Sequence, residues 1–239
     1  MIRLGMHTDN LRELSGSFAA GVELGAKYNL EHIECGFIDG IMYVQCMGYE
    51  PSVCTLENPR AIRRFVESKG LRFSQLDAAF PLMDNVGTMY GVRYTQQGIR
   101  FASELGCTKV DTTDSARLEK GLTRDEAFKI AVKNYTEVLK WAQDYKMIIN
   151  IEPHGVLTND AEFMLKLLSH FESEYLRFNM DTGNTYIAGN DPLEFLKELR
   201  KYLTHMHIKD VSPALAAAAR GEETGIACSD VYIGQGVSA

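Results

Sequence analysis

The stretch MIINIEPHG, residues 147–155, sets the reading of the whole chain. Apolar and polar side chains alternate along it, the period of a strand whose two faces meet different surroundings. Ile149 and Ile151 fall on one face, and Asn150, Glu152 and His154 on the other. A helical stretch follows, NDAEFMLKLLSHF (159–171), with Asn159 or Asp160 placed to cap it. Then come a strand, LRFNMDTGN (176–184), and a helix, DPLEFLKELRKY (191–202), opened by Asp191 and Pro192. A further strand, THMHIKD, covers 204–210.

Upstream the same alternation holds. Strands are expected at IRLGMH (2–7), HIECG (32–36), LRFSQLDA (71–78) and TKVDTT (108–113). Helices are expected over 18–29, 59–70, 95–106 and 123–145, the last opened by a Thr123–Glu126 capping box. Seven strands in strict alternation with six helices give a parallel sheet with crossover helices. No glycine-rich phosphate loop follows the first strand, where HTDNLREL stands, and polar residues end nearly every strand. Both features select a (β/α)8 barrel over an open doubly wound sheet. The expected fold class is therefore α/β, a (β/α)8 TIM barrel forming one domain over residues 1–239. The count falls one strand short, so the last helix–strand–helix unit of the barrel is expected to be missing from the sequence given.

Composition narrows the function. A formal net charge of −7 argues against a nucleic-acid surface, which needs a basic stripe. The cysteines, Cys35, Cys46, Cys54, Cys107 and Cys228, are odd in number and form no CxxC pair, so neither a disulfide framework nor a zinc knuckle is expected. No stretch reads as a signal peptide or a membrane span, and the chain is expected in the cytoplasm.

In a barrel the outward face of each strand packs under helices and the inward face near the C-terminal mouth carries chemistry. Period two places Met206 and Ile208 outward, with His205, His207 and Lys209 inward. The same register lines one mouth with Glu34, Asp111, Glu152, His154, Asp181, His207 and Lys209, and ends the first strand on His7. His205 lies one layer deeper and is expected as a hydrogen-bonded core histidine. Burying several carboxylates together costs several kcal/mol each unless something positive joins them. Lys209 answers this in part, and a divalent cation answers the surplus.

The segments NIEPHG, NMDTGN, HMHIKD and IGQGV, in this order, resemble the xylose isomerase-like barrel superfamily, and within it the sugar phosphate isomerase/epimerase family. That resemblance implies one divalent metal, Mn²⁺ first with Mg²⁺, Co²⁺ or Zn²⁺ as alternatives, held by Glu152, Asp181 and His207. It implies a fourth ligand, a Glu on the last strand, beyond Ala239. Glu152 would be ligand and general base. His154, Asn184 and Lys209 would bind substrate, with Glu34, Asp111 and His7 also placed at the substrate. Ketose 3-epimerases carry a histidine where Asn184 stands. The implied activity is isomerisation or epimerisation of a sugar, sugar phosphate or polyol-derived ketone by proton transfer through an enediolate. A small-molecule carbohydrate is the partner, and homo-oligomers are usual for the family. The alternative is a metal-dependent lyase that eliminates the aglycone of a 3-keto-glycoside. An abasic-site endonuclease needs three metals and further histidines where DAAF and DTTD stand. A non-catalytic binding protein is the remaining reading.

Overall fold

The computed structural model describes residues 2–14, 16–40, 51–115, 117–220 and 231–238. Cys46, Cys228 and the Glu222–Glu223 pair, expected as solvated charges, lie outside the described residues. The chain divides into two compact units, one of residues 1–79, 93–111 and 141–147, the other of 80–92, 112–140 and 148–239.

The first unit holds β1 (Gly5–His7), α1 (Phe18–Lys27), β2 (His32–Ile38), the two-residue β3 (Val53–Cys54), α2 (Pro59–Ser68), most of β4 (Arg72–Pro81) and α3 (Val92–Leu105). β1, β2 and β4 run parallel, with β3 along β2. The register sets His7 opposite Glu34, and Glu34 opposite Gln75. Because paired residues in a parallel sheet point to one side, these three form a polar row. Ile33, Cys35 and Phe37 alternate with it and are buried, Phe37 against Phe101 of α3 with ring centroids 5.5 Å apart. Asn58 and Ser17 cap α2 and α1 through main-chain N–H groups. Gly106 ends α3 at φ +77°, a backbone conformation that glycine adopts without the Cβ penalty. β5 (Lys109–Thr113) contributes Asp111 to this unit and Thr112 and Thr113 to the other.

The second unit carries most of α4 (Arg124–Tyr145), then β6 (Ile148–Ile151), α5 (Ala161–Phe171), β7 (Leu176–Asp181), α6 (Thr182–Ile187), α7 (Pro192–Leu199), β8 (Leu203–His207) and α8 (Pro213–Arg220). β6, β7 and β8 are parallel. The Thr123–Glu126 box forms as expected, each residue's side chain accepting the other's main-chain N–H at 2.8 and 3.3 Å. Asp160, rather than Asn159, caps α5, and Asp191 caps α7. The core is built from Ile149, Ile151, Phe178 and Met180 with Phe163, Met164, Leu167 and Leu168 of α5 and Phe195 of α7, all buried. Each such side chain contributes about 1.5–3 kcal/mol by leaving water.

Three strand ends of the second unit differ from the sequence reading. β7 stops at Asp181, because the Asp181 carboxylate accepts the Asn184 N–H at 2.7 Å and starts α6 where a strand was expected. β8 stops at His207, and the backbone N–H and C=O of Lys209 both bond the Thr182 hydroxyl instead of a ladder, at 3.0 and 2.8 Å. β6 stops at Ile151, so Glu152 and His154 lie just beyond it. A further expectation fails: Met206 and Ile208 are 37% and 47% exposed, not covered by helices, and Ile2 and Leu4 are exposed as well. Among the described residues, β1 pairs only with β2 and β8 only with β7.

Candidate metal centre

Three consecutive strands of the second unit deliver the site. Asp181 and His207 stand opposite each other at the ends of β7 and β8. Glu152 follows β6, its backbone N–H held by the Thr112 carbonyl at 2.9 Å. The Thr112 hydroxyl donates to the Asn150 carbonyl at 2.7 Å, which ties the two strand ends together. Oxygen and nitrogen atoms of Glu152, Asp181 and His207 then lie within 4.8 Å of one another.

The contacts are specific. His207 Nδ1 is 3.0 Å from Glu152 Oε1, and His154 Nδ1 is 3.8 Å from Glu152 Oε2. One Asp181 oxygen caps α6 and the other lies 3.5 Å from Lys209 Nζ, which also reaches the Asn184 side-chain oxygen. Asn179 Oδ1 is 3.1 Å from His205 Nδ1 and Asn179 Nδ2 is 3.3 Å from His207 Nδ1. His205 is hydrogen-bonded, but half-buried where a core histidine was expected.

Electrostatics favour a cation. The Glu152 and Asp181 side chains are each 6% exposed. Burial pushes the Asp181 carboxyl above its ordinary value, the Glu152 charge adds to this, and Lys209, His207 and the Asn184 N–H oppose it. Of the two buried carboxylates, Asp181 faces Lys209 and Glu152 faces two histidines, and a divalent ion would offset the negative charge that remains. Carboxylate and imidazole donors suit Mn²⁺, Mg²⁺, Co²⁺ and Zn²⁺. The donor set fits such an ion.

The structure thus brings Glu152, His154, Asp181, Asn184, His207 and Lys209 together. Asn184 sits on α6 and Lys209 on a loop, not on strands. His7, Glu34 and Asp111 belong to the first unit. There Glu34 accepts a 2.9 Å hydrogen bond from Gln75, and His7 Nε2 lies 3.4 Å from Asp77 Oδ2. Burial works to lower the His7 pKa, but the Asp77 hydrogen bond and the Glu34 charge hold it above its ordinary value. Asp111 is fully buried in β5.

Two contributors were not read from the sequence. Thr182 pins the Lys209 backbone, as described above. Gly183 leaves room for the lysine stem: a Cβ there would stand 2.6 Å from Lys209 Cε and 3.0 Å from its Cγ. A Thr-Gly pair directly after a helix-capping Asp was the available signal.

A family model described as xylose isomerase-like TIM barrel matches residues 24–238. Among curated proteins, an inosose dehydratase of Clostridium botulinum is 25% identical over 100 residues, 41% of this chain and 34% of that protein. The matched stretch spans about a third of that relative's length. Among solved structures, a D-tagatose 3-epimerase-like protein superposes with a TM-score of 0.74 at 18% identity, covering 98% of this chain and 82% of the other. An IolI protein with a bound zinc atom gives 0.70 at 16% identity, covering 96% and 87%. These likenesses show the TIM-barrel fold.

Proposed function

The chain belongs to the xylose isomerase-like TIM barrel family, and from that premise we propose that it is a divalent-metal-dependent isomerase or epimerase of a sugar, sugar phosphate or polyol-derived ketone. The observation that carries this reading is the convergence of Glu152, Asp181 and His207 with both carboxylates buried. These three residues would hold the ion, Mn²⁺ first; the zinc of the IolI structure supports a metal here without fixing its identity. When bound, the ion would polarise a substrate carbonyl and offset the negative charge that develops on its oxygen.

The chain's own groups supply the rest. Glu152 takes the proton from the carbon beside the carbonyl, with His207 and His154 facing its two oxygens. Lys209, held by Thr182 and Asn184, presents a cation where an enediolate oxygen forms. His154 and Asn184 hydrogen-bond substrate hydroxyls. Return of the proton to the neighbouring carbon or the opposite face completes an isomerisation or epimerisation.

A second reading shares the first step and ends in elimination of water or an aglycone. Asn184 favours it, because it stands where ketose 3-epimerases carry a histidine. The inosose dehydratase likeness points the same way. A Mn²⁺-supplemented screen of ketoses, inosose-type ketones and 3-keto-glycosides tests both, since an isomer keeps the substrate's mass and an eliminated product does not. Activity unchanged by EDTA, or Glu152→Gln turning over as fast as wild type, would sink the shared chemistry.

A further inference from the structure

Asp114 lies just past β5 and is buried. Its carboxylate accepts the main-chain N–H of Gly155 at 2.9 Å and of Leu157 at 2.8 Å, and the hydroxyl of Thr158. That hydroxyl in turn accepts the N–H groups of His154 and Gly155 at 2.9 and 3.1 Å. Asn159 closes the turn, its side chain donating to the Gly155 carbonyl at 3.0 Å. Gly155 has no room for a side chain: a Cβ would stand 2.1 Å from the Ser115 carbonyl oxygen and 2.5 Å from Asp114 Oδ1. The whole turn after β6 is therefore wrapped on one carboxylate.

The chemistry of the contact selects an acid. Three donors converge on two oxygens, and an amide at this position would turn one acceptor into a donor facing N–H groups. Burial pushes the Asp114 carboxyl above its ordinary value, against the pull of those donors, so the fold retains an ionisable group where it is costly. What the turn carries explains its retention. His154 is the first residue bound by the Thr158 hydroxyl, and Glu152 precedes it by one proline, Pro153, whose ring fixes the intervening φ.

We infer that Asp114 is a positioning residue which, through Thr158 and the turn at Gly155, fixes where Glu152 and His154 present their side chains at the metal centre. This rests on the functional reading above. Partners of this kind, which orient a ligand without touching the metal, typically change affinity by about 10–100-fold when lost.

The test is Mn²⁺ binding to the full chain by calorimetry, with thermal unfolding of the same samples. Asp114→Asn and Thr158→Val are expected to weaken Mn²⁺ binding by about 10–100-fold. Thr158→Ser, which restores the hydroxyl, is expected to bind within about threefold of wild type. Leu167→Ala, a core truncation in the same unit, is expected to lower the unfolding temperature without moving Mn²⁺ affinity. Should Asp114→Asn fail to fold, Thr158→Val carries the test alone. Wild-type affinity in Thr158→Val, or equal weakening by Leu167→Ala, overturns the positioning role. Wild-type protein that binds no Mn²⁺ overturns the functional reading and the inference together, a distinguishable result.

Discussion

Replacing Lys209 by methionine should weaken the apoprotein and tighten its grip on a divalent ion. Lys209 Nζ lies 3.5 Å from Asp181 Oδ2, and the two side chains are 20% and 6% exposed. At that separation the attraction is about 5 kcal/mol for an effective dielectric near 20, and about 1 kcal/mol in bulk water. Desolvation of both groups consumes much of it, but removing one partner leaves the other charge buried and unpaired, which costs about 3–5 kcal/mol. Methionine keeps a stem of similar shape over Gly183, so the loss is one of charge. Without metal, Lys209→Met should unfold in urea with about 3–5 kcal/mol less stability. A divalent ion neutralises the carboxylates that the deletion exposes, and it no longer competes with an ammonium. Mn²⁺ should therefore bind about tenfold more tightly, equivalent to about 1.4 kcal/mol. The assays are urea unfolding in EDTA and calorimetric Mn²⁺ titration. Mn²⁺ affinity equal to or below wild type would refute the electrostatic account of the site.

Gly183→Ala places a methyl 2.6–3.1 Å from the Lys209 stem and should cost about 1–3 kcal/mol in urea unfolding. In a Lys209→Gly background most of that cost should vanish, and a cost that persists would place the strain elsewhere. The Asp210 carboxyl is held well below the usual range by the N–H groups of Ser238, Gly236 and Gly234. Because its folded pKa is depressed, it stabilises above the ordinary value near 3.9 and loses this as pH falls. Asp210→Asn should thus melt below wild type at pH 7, with the gap narrowing below about pH 4. A gap that stays constant from pH 7 to pH 3 would contradict the clasp. Phe178→Ala, which empties a buried site against Phe195 at 6.0 Å, should cost about 3–5 kcal/mol by the same unfolding assay.

The residues that repeat with period two were legible, and those that depend on caps and loops were not. Ile149 and Ile151 share the buried face that alternation assigned them. The same alternation brought Asp181 level with His207, and the register confirms their pairing. Lys209 was placed inward by extending β8 to Asp210. It reaches Asp181 from a loop pinned by Thr182, not from the strand. Asn184 was read on a strand and stands on a helix, because Asp181 both faces Lys209 and caps α6. Asp114 was visible only as the last acid of DTTD. Its role depends on hydrogen bonds to a turn more than forty residues away, which no local pattern encodes.

Calorimetric titration of Mn²⁺ into the full chain, alongside Glu152→Gln, Asp181→Asn and His207→Gln, tests the central claim most directly. Glu152→Gln and Asp181→Asn keep side-chain shape, Asn at 181 can still cap α6, and His207→Gln removes the imidazole nitrogens. The structure predicts one ion per wild-type chain and affinity at least about tenfold weaker in every variant. No binding by the wild type, or binding that all three substitutions leave unchanged, would contradict a metal centre at Glu152, Asp181 and His207.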